Sequence, residues 1–386
     1  MRLLYVIDSL APGGAETSLA EMAPGLAAGG VELHVLPLGD RLDLAPNLER
    51  AGAHVHVRAP RGGRVGNIRS VIEVSRSVRP QLVHTTLYEA DVAGRVAARL
   101  LSIPSSSSIV NDSYGPSHYA ESNAAKLHSA RALDAATARL AQRFHAISRA
   151  IADSVPPRLG IPRDKVEVVP RGRDPQRFPF QAQGVRYKVR KELQIAQESP
   201  VVLALSRLEP QKGLHYLLQA LAEVTKIHPA VVVVFAGRDG RAAQALRCEA
   251  AKLPCDIRFL GHRTDVADLL AASDLLCFPS EREGFGGVLI EAMAVGCPIV
   301  ASSLPTTLEV LGTGESGVGR MTPAGDAVRL GKAINRALSD RRGTAARARM
   351  GRARFEELFT TDRVAARMLD FFAHVTRTGP PQSSLQ

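Results

Sequence analysis

Two glutamates, Glu283 and Glu291, bracket a glycine-rich turn inside the run SEREGFGGVLIEAMAVGCPIVAS from Ser280 to Ser302. Carboxylates accept hydrogen bonds from hydroxyl groups. The first turn of a helix adds backbone N–H groups that lack intrahelical partners, and the positive end of the helix dipole. Leu289, Ile290, Met293 and Ala294 recur at helical spacing, and Gly296-Cys297-Pro298 ends the run as a glycine cap followed by proline should. The expected helix starts at Gly287, with Glu283 in the loop at its mouth and Glu291 about two turns further along. Gly284, Phe285 and Gly286 line that mouth, which suits hydroxyls or an anion.

A second constellation precedes it. Ser206-Arg207-Leu208-Glu209-Pro210-Gln211-Lys212-Gly213 follows an apolar strand and leads into a helix with Leu214, Leu217, Leu218 and Leu221 on one face. As isolated surface cations, Arg207 and Lys212 would be solvated charges. Aimed at one ligand, a planar guanidinium fork and a compact ammonium are what a diphosphate requires. Near the start of the chain, the strand RLLYVID runs through Ser9-Leu10-Ala11-Pro12-Gly13-Gly14 into a helix. This is not the Gly-x-Gly-x-x-Gly dinucleotide fingerprint, but Gly13 and Gly14 let a phosphate approach the backbone closely.

The elements that must position these residues alternate along the whole chain. RLLYVID, VELHVLPL, AHVHVRA, QLVHTT, SSIVN, RFHAIS and KVEVVP read as strands in the first half, and VVLALS, AVVVVFAG, DIRFLG, DLLCFP and CPIVAS in the second. Strands separated by helical stretches imply parallel, doubly wound sheets, and such sheets bind ligands at the carboxyl ends of their strands. At 386 residues, more than one core is expected, and 45% hydrophobic residues can supply two. The cysteines, Cys248, Cys255, Cys277 and Cys297, show no metal-type spacing and read as reduced thiols of a cytoplasmic protein. The opening MRLLYVID suits a strand better than a signal peptide, and no apolar run approaches a membrane span of roughly 20 residues. From Arg341 to Arg377 there are nine arginines against four acidic residues. They read as a solvated helical face, or as peripheral contact with an anionic inner membrane leaflet. With only 4% aromatic residues and no tryptophan, nucleic acid is not expected as a partner.

The string around Glu283 and Glu291, with Glu-Gly-Phe-Gly and Glu-Ala-Met-Ala, resembles the signature of retaining nucleotide-sugar glycosyltransferases of family 4, and Arg207 and Lys212 match that family's cation pair. The resemblance is strong from Val202 to Val310 and looser before. It implies an α/β protein of the GT-B fold, with two Rossmann-like parallel-sheet domains facing a central cleft. These would be an acceptor-side domain over residues 1–180 and a nucleotide-sugar domain over 181–360. A closing segment over 361–386 would hold a helix returning to the first domain and a disordered tail. Arg207 and Lys212 would then grip the leaving diphosphate with Gly13 and Gly14, Glu283 would hold sugar hydroxyls, and Glu291 the ribose. His262 and Arg263 would border the base. Arg207, Lys212 and Glu283 would be catalytic, with no metal and no cofactor.

Some positions depart from the family pattern. Arg171 stands where the family has the asparagine of Asn-Gly-x-Asp. Asn111-Asp112 occupies the place of a histidine, which leaves Asp112 and His118, with Asn111 and the strand-ending His84, as acceptor-side candidates. His84 at a strand end is also an ordinary structural histidine. Pro305-Thr306-Thr307-Leu308-Glu309 keeps a glutamate but lacks the family's glycines, so sugar identity does not carry over. The expected reaction moves a sugar from a UDP- or GDP-sugar to a hydroxyl of a sugar, lipid-linked or glycan acceptor. The alternatives are an epimerase on the same fold and a non-catalytic sugar-nucleotide sensor.

Overall fold

The computed structural model describes residues 1–58, 62–115, 123–182, 184–314 and 317–378. The expected tail and His118 lie outside them. The chain divides into two units, Met1–Gly172 with Thr361–Gln386, and Arg173–Thr360.

The first unit is a seven-stranded sheet of β1 (Arg2–Ile7), β2 (Glu32–Pro37), β3 (His54–Val55), β4 (Leu82–Thr86), β5 (Ser105–Ile109), β6 (Arg143–Ala146) and β7 (Val166–Val168). Its order is β3-β2-β1-β4-β5-β6-β7 and every pairing is parallel. Strand order reverses between β1 and β4, the place where open sheets hold ligands. Leu3, Tyr5 and Ile7 bury toward the helix Gly14–Ala28 and the closing helix Thr361–Thr378. Leu4 and Val6 bury on the other face with Val71, Val74, Ala93 and Ala97. Apolar side chains therefore point to both faces, which is why these strands read as unbroken runs. The two packed helices meet at glycines: a Cβ on Gly25 would stand 2.5 Å from that of Ala365.

β5 looks wrong for a central strand, because Ser105, Ser106, Ser107 and Ser108 are all buried. The hydroxyls of Ser106 and Ser108 bond two buried histidines, and that of Ser107 accepts from Nε of Arg95 at 2.7 Å. Oγ of Ser106 lies 2.8 Å from Nδ1 of His84, Oγ of Ser108 lies 2.8 Å from Nε2 of His84 and 2.9 Å from Nδ1 of His145, and Nε2 of His145 is 2.7 Å from the Val169 carbonyl. One set of proton positions satisfies this row. Ser106 donates to His84, His84 to Ser108, Ser108 to His145, and His145 to the carbonyl, with both imidazoles neutral. His84 is 0% exposed and both its nitrogens are engaged, so it touches no open surface. This corrects its place among the acceptor-side candidates.

Burial lowers the pKa of His145 from 6.5 to about 4. The unfolded chain therefore takes up a proton near pH 6.5 that the folded chain refuses until about pH 4, and stability falls as pH drops through that window. Relative to His145→Asn, the wild type is expected to lose about 2 kcal/mol between pH 7 and pH 5, at 1.36 kcal/mol per unit. Denaturant unfolding of both proteins at the two pH values checks this, and parallel pH profiles would contradict it.

The second unit is a six-stranded parallel sheet of β8 (Val201–Leu205), β9 (Val232–Ala236), β10 (Asp256–Phe259), β11 (Leu275–Phe278), β12 (Ile299–Ser302) and β13 (Arg320–Thr322), in the order β10-β9-β8-β11-β12-β13. Its order reverses between β8 and β11. β13, three residues without an apolar run, gives no strand signal in the sequence.

The basic closing stretch does not present one solvated face. Arg352 donates to the Ala294 carbonyl at 2.7 Å, Arg354 to those of Val310 and Glu309 at 2.8 Å each, and Arg347 to that of Gly317 at 2.6 Å. Ala294 and Val310 lie in the last turns of the helices Gly287–Val295 and Pro305–Leu311, where carbonyls lack partners and the dipole favours a cation. Among the described residues, no helix is long and apolar enough to cross a membrane.

Candidate functional site

The two loops singled out by sequence emerge from adjacent strands, β8 and β11, at the reversal point of the second sheet. After β8 the chain crosses Ser206-Arg207-Leu208-Glu209, makes a tight turn over Pro210–Lys212 and enters the helix Leu214–Val224 through Gly213. Gly213 is left-handed at φ +61°, and a Cβ there would lie 2.1 Å from the Pro279 carbonyl oxygen. The turn thus rests directly on the backbone leaving β11, and only glycine fits. The Glu281 amide donates to the Gln211 carbonyl at 3.0 Å, joining the loops a second time.

This seam sets Lys212 against Glu283. The ammonium is 2.5 Å from Oε1 of Glu283, the Ser280 hydroxyl donates to the same oxygen at 2.9 Å, and both charged side chains are mostly buried. Ser280 was not singled out by sequence reasoning; a serine three residues before Glu283 in the same loop was its only signal. Arg207, at the start of the β8 loop, is exposed, and its carbonyl accepts from the Glu209 amide at 2.8 Å, which leaves the loop backbone tied down beneath an exposed side chain.

The helix mouth forms as expected. Gly286 is the N-cap at φ +83°, supplies no side-chain acceptor, and a Cβ there would press on Leu289. Phe285 is buried against Phe359, ring centroids 6.0 Å apart, which anchors the glycine turn from below. The first-turn amides are therefore left without a capping side chain. The helix begins at Gly287, as expected, so Glu291 lies about one turn inside it, some 6 Å along the axis. The other helix residues from Leu289 to Val295 are buried, so Glu291 is the polar interruption. Its Oε1 accepts from Nε of Arg173 at 2.7 Å, with side-chain exposures of 8% for the arginine and 13% for the glutamate. Sequence reasoning passed over Arg173, whose signal was its place in the proline- and arginine-rich stretch after β7.

The base-side pair separates. His262 is exposed beyond Gly261, whereas Arg263 holds Asp265 through two nitrogens at 2.8 and 2.6 Å and reaches Glu192 at 3.1 Å. Hydrogen bonds to those carboxylates drive its pKa up and hold the guanidinium against Asp265.

In the first unit, Gly13 caps the helix Gly14–Ala28. A Cβ on Gly14 would meet the guanidinium of Arg171, and one on Gly13 the carboxylate of Glu16. The two glycines thus make room for a cation and an anion of their own unit, and burial raises the pKa of Glu16. Asn111 is exposed and accepts from the Ser113 hydroxyl, and Asp112 is held by Arg158. Asp8, at the carboxyl end of β1, is a residue that sequence reasoning missed. It accepts from the Ala90 amide at 2.7 Å, and burial pushes its pKa up to about 6.

Comparison with known proteins follows the same two-part division. The model of Glycosyltransferase Family 4 matches residues 12–177 and that of glycosyl transferases group 1 matches residues 185–356. A phosphatidyl-myo-inositol mannosyltransferase of Mycobacterium leprae is 42% identical over 34% of this chain and 36% of its own length. A D-inositol 3-phosphate glycosyltransferase of Xylanimonas cellulosilytica is 28% identical over 78% of this chain and 73% of its own. The chain thus spans about a third of the length of the mannosyltransferase it matches. Anabaena Alr3699/HepE, solved in complex with UDP-glucose, superposes with a TM-score of 0.83 at 24% identity, over 97% of this chain and 100% of that one. That likeness gives the fold: two parallel-sheet α/β domains of the GT-B type.

Proposed function

We propose, for a chain that belongs to family 4 of the glycosyltransferases, transfer of a glycosyl group from a nucleoside diphosphate sugar to an acceptor hydroxyl, with retention at the anomeric carbon and without a metal ion. The observation that carries this reading is the Lys212–Glu283 contact at 2.5 Å beside an uncapped helix mouth. It sets a cation for phosphate and a carboxylate for hydroxyls side by side.

Breaking the bond between the anomeric carbon and the diphosphate oxygen leaves negative charge on the phosphate and positive charge on the ring. Lys212, Arg207 and the first-turn amides stabilise the former. Glu283 orients sugar hydroxyls. The acceptor oxygen forms the new bond on the same face, and its proton passes to the departing phosphate oxygen. Glu291 accepts from the ribose hydroxyls. UDP-sugars are the first donors to try, since Anabaena Alr3699/HepE was solved with UDP-glucose, and GDP-sugars the second. Inositol-based acceptors follow from the names of the relatives. For a lipid-linked acceptor, the exposed Arg341, Arg342 and Arg349 would favour an anionic membrane face.

The test is release of nucleoside diphosphate by the full-length protein in proportion to added acceptor. An epimerase would convert donor without acceptor, and a sensor would bind donor and release nothing; either outcome ends the proposal. With EDTA the transfer rate is expected to stay within about twofold, because in this reading Lys212 and Arg207 supply the positive charge that a metal ion would otherwise bring to the diphosphate. A loss of more than about tenfold, restored by Mg²⁺ or Mn²⁺, would overturn the metal-free part.

A further inference from the structure

The open edge of the first unit's sheet carries a cluster unconnected with the proposed reaction. His34 of β2 pairs in register with His54 of β3. Side chains two apart on a strand share a face, so Glu32, His34, His54 and His56 all project from the same side. Glu32 and His54 are exposed, and His34 is buried between them. One ligand atom each from Glu32, His34 and His54 lies within 4.8 Å of the others. The rings of His34 and His54 stack with centroids 4.8 Å apart.

The two edges of the His34 ring face different partners. Its Nε2 lies 3.1 Å from Oε1 of Glu32, and its Nδ1 lies 2.9 Å from Nε2 of His56. Two ligands on one tetrahedral zinc, each about 2.0–2.1 Å from the ion, stand about 3.3 Å apart. The Glu32–His34 spacing therefore fits a shared ion with little movement. The other edge can support a ligating histidine: with an ion on Nε2, the Nδ1–H of His34 would donate to Nε2 of His56, which fixes the tautomer and turns the Nε2 lone pair toward the metal.

We propose that this edge binds one zinc ion through Glu32, Nε2 of His34 and His54, with His56 as a positioning residue and water in the fourth place. Two nitrogens and one carboxylate favour zinc or a similar divalent transition metal over calcium or magnesium, which prefer oxygen ligands. Because β3 contains only His54 and Val55, the ion would clamp a short edge strand onto β2. Its role is to hold the fold, and it takes no part in transfer.

The test uses tag-free, full-length protein stripped with EDTA and dialysed. Titration with Zn²⁺ against a chelating dye is expected to show one equivalent bound at micromolar affinity or better. The double variant Glu32→Gln/His54→Ala changes two exposed side chains and is expected to weaken binding more than tenfold. His56→Ala, which keeps all three ligands, is expected to weaken it about ten- to a hundredfold. Co²⁺ in place of zinc should give the visible absorption of a four-coordinate ion, absent from the double variant. No stoichiometric uptake, or equal uptake by the double variant, would overturn the site. Unchanged affinity in His56→Ala would overturn the role of His56. Stripping should also lower the unfolding temperature of the wild type and leave that of the double variant alone, a readout independent of any transfer activity.

Discussion

Lys212→Ala is expected to lower turnover at saturating donor by about a hundred- to a thousandfold, the range for removing one donor aimed at developing negative charge. Its ammonium is placed before any ligand arrives: the Gly213 backbone rests on Pro279, and Glu283 holds the charge at 2.5 Å. Preorganisation of that kind is what makes a cation effective in the transition state, since no reorganisation remains to be done there. Arg207→Ala is expected to act in the same direction with a smaller effect, because the exposed side chain must be ordered by the ligand.

Removing Lys212 also leaves Glu283 without its cation, although Ser280 still donates to it at 2.9 Å. Activity could then fall for an indirect reason, an uncompensated carboxylate. The double variant Lys212→Ala/Glu283→Gln separates the two explanations. Glu283→Gln alone is the reference, because Glu283 also holds sugar hydroxyls: if the lost cation matters, the double variant stays far slower than Glu283→Gln; if the stranded carboxylate matters, it turns over as fast as Glu283→Gln. Measured kcat close to wild type in Lys212→Ala, with the fold intact by thermal unfolding, would remove Lys212 from the chemistry.

The contrast between these loops and the rest of the molecule shows what a sequence can display. Glycine positions with positive φ, such as Gly213 and Gly286, were legible because local backbone geometry demands the residue. The long apolar strands were legible because two-sided burial leaves unbroken runs. What escaped depends on pairing across the fold. Glu32-x-His34 and His54-x-His56 look unremarkable in the sequence and become a cluster only through the register of β2 with β3. Arg173 and Glu291 are far apart along the chain, and nothing local says that one neutralises the other. Arg347, Arg352 and Arg354 of the closing stretch escaped for the same reason, since a guanidinium bound to a distant carbonyl has the same sequence as a solvated one. His84 shows the opposite error. A histidine at a strand end suggests chemistry, but the serines of β5 enclose it, and their purpose appears only when the strands are laid side by side.

Glu291→Ala is expected to weaken nucleoside diphosphate binding about a hundredfold, since two hydrogen bonds from ribose hydroxyls to a carboxylate contribute about 3 kcal/mol together. The Arg173 contact does not preclude this. A carboxylate has about four acceptor positions, and Arg173 is bonded to Oε1. The same substitution strands a guanidinium that is only 8% exposed, so stability should fall as well, by about 3–5 kcal/mol for a broken buried pair. Weaker binding alone therefore does not identify the ribose as the partner. A cycle with the ligand does. The 2′-deoxy diphosphate should bind the wild type more weakly than the ribose form, because one hydroxyl no longer reaches Glu291. In Glu291→Ala the two ligands should bind alike, because the group that told them apart is gone. Titration calorimetry with both ligands and both proteins measures this coupling directly, and damage to the fold cancels because it affects both ligands equally. If the deoxy penalty persists at full size in Glu291→Ala, the hydroxyl is held elsewhere and the Arg173–Glu291 pair is structural.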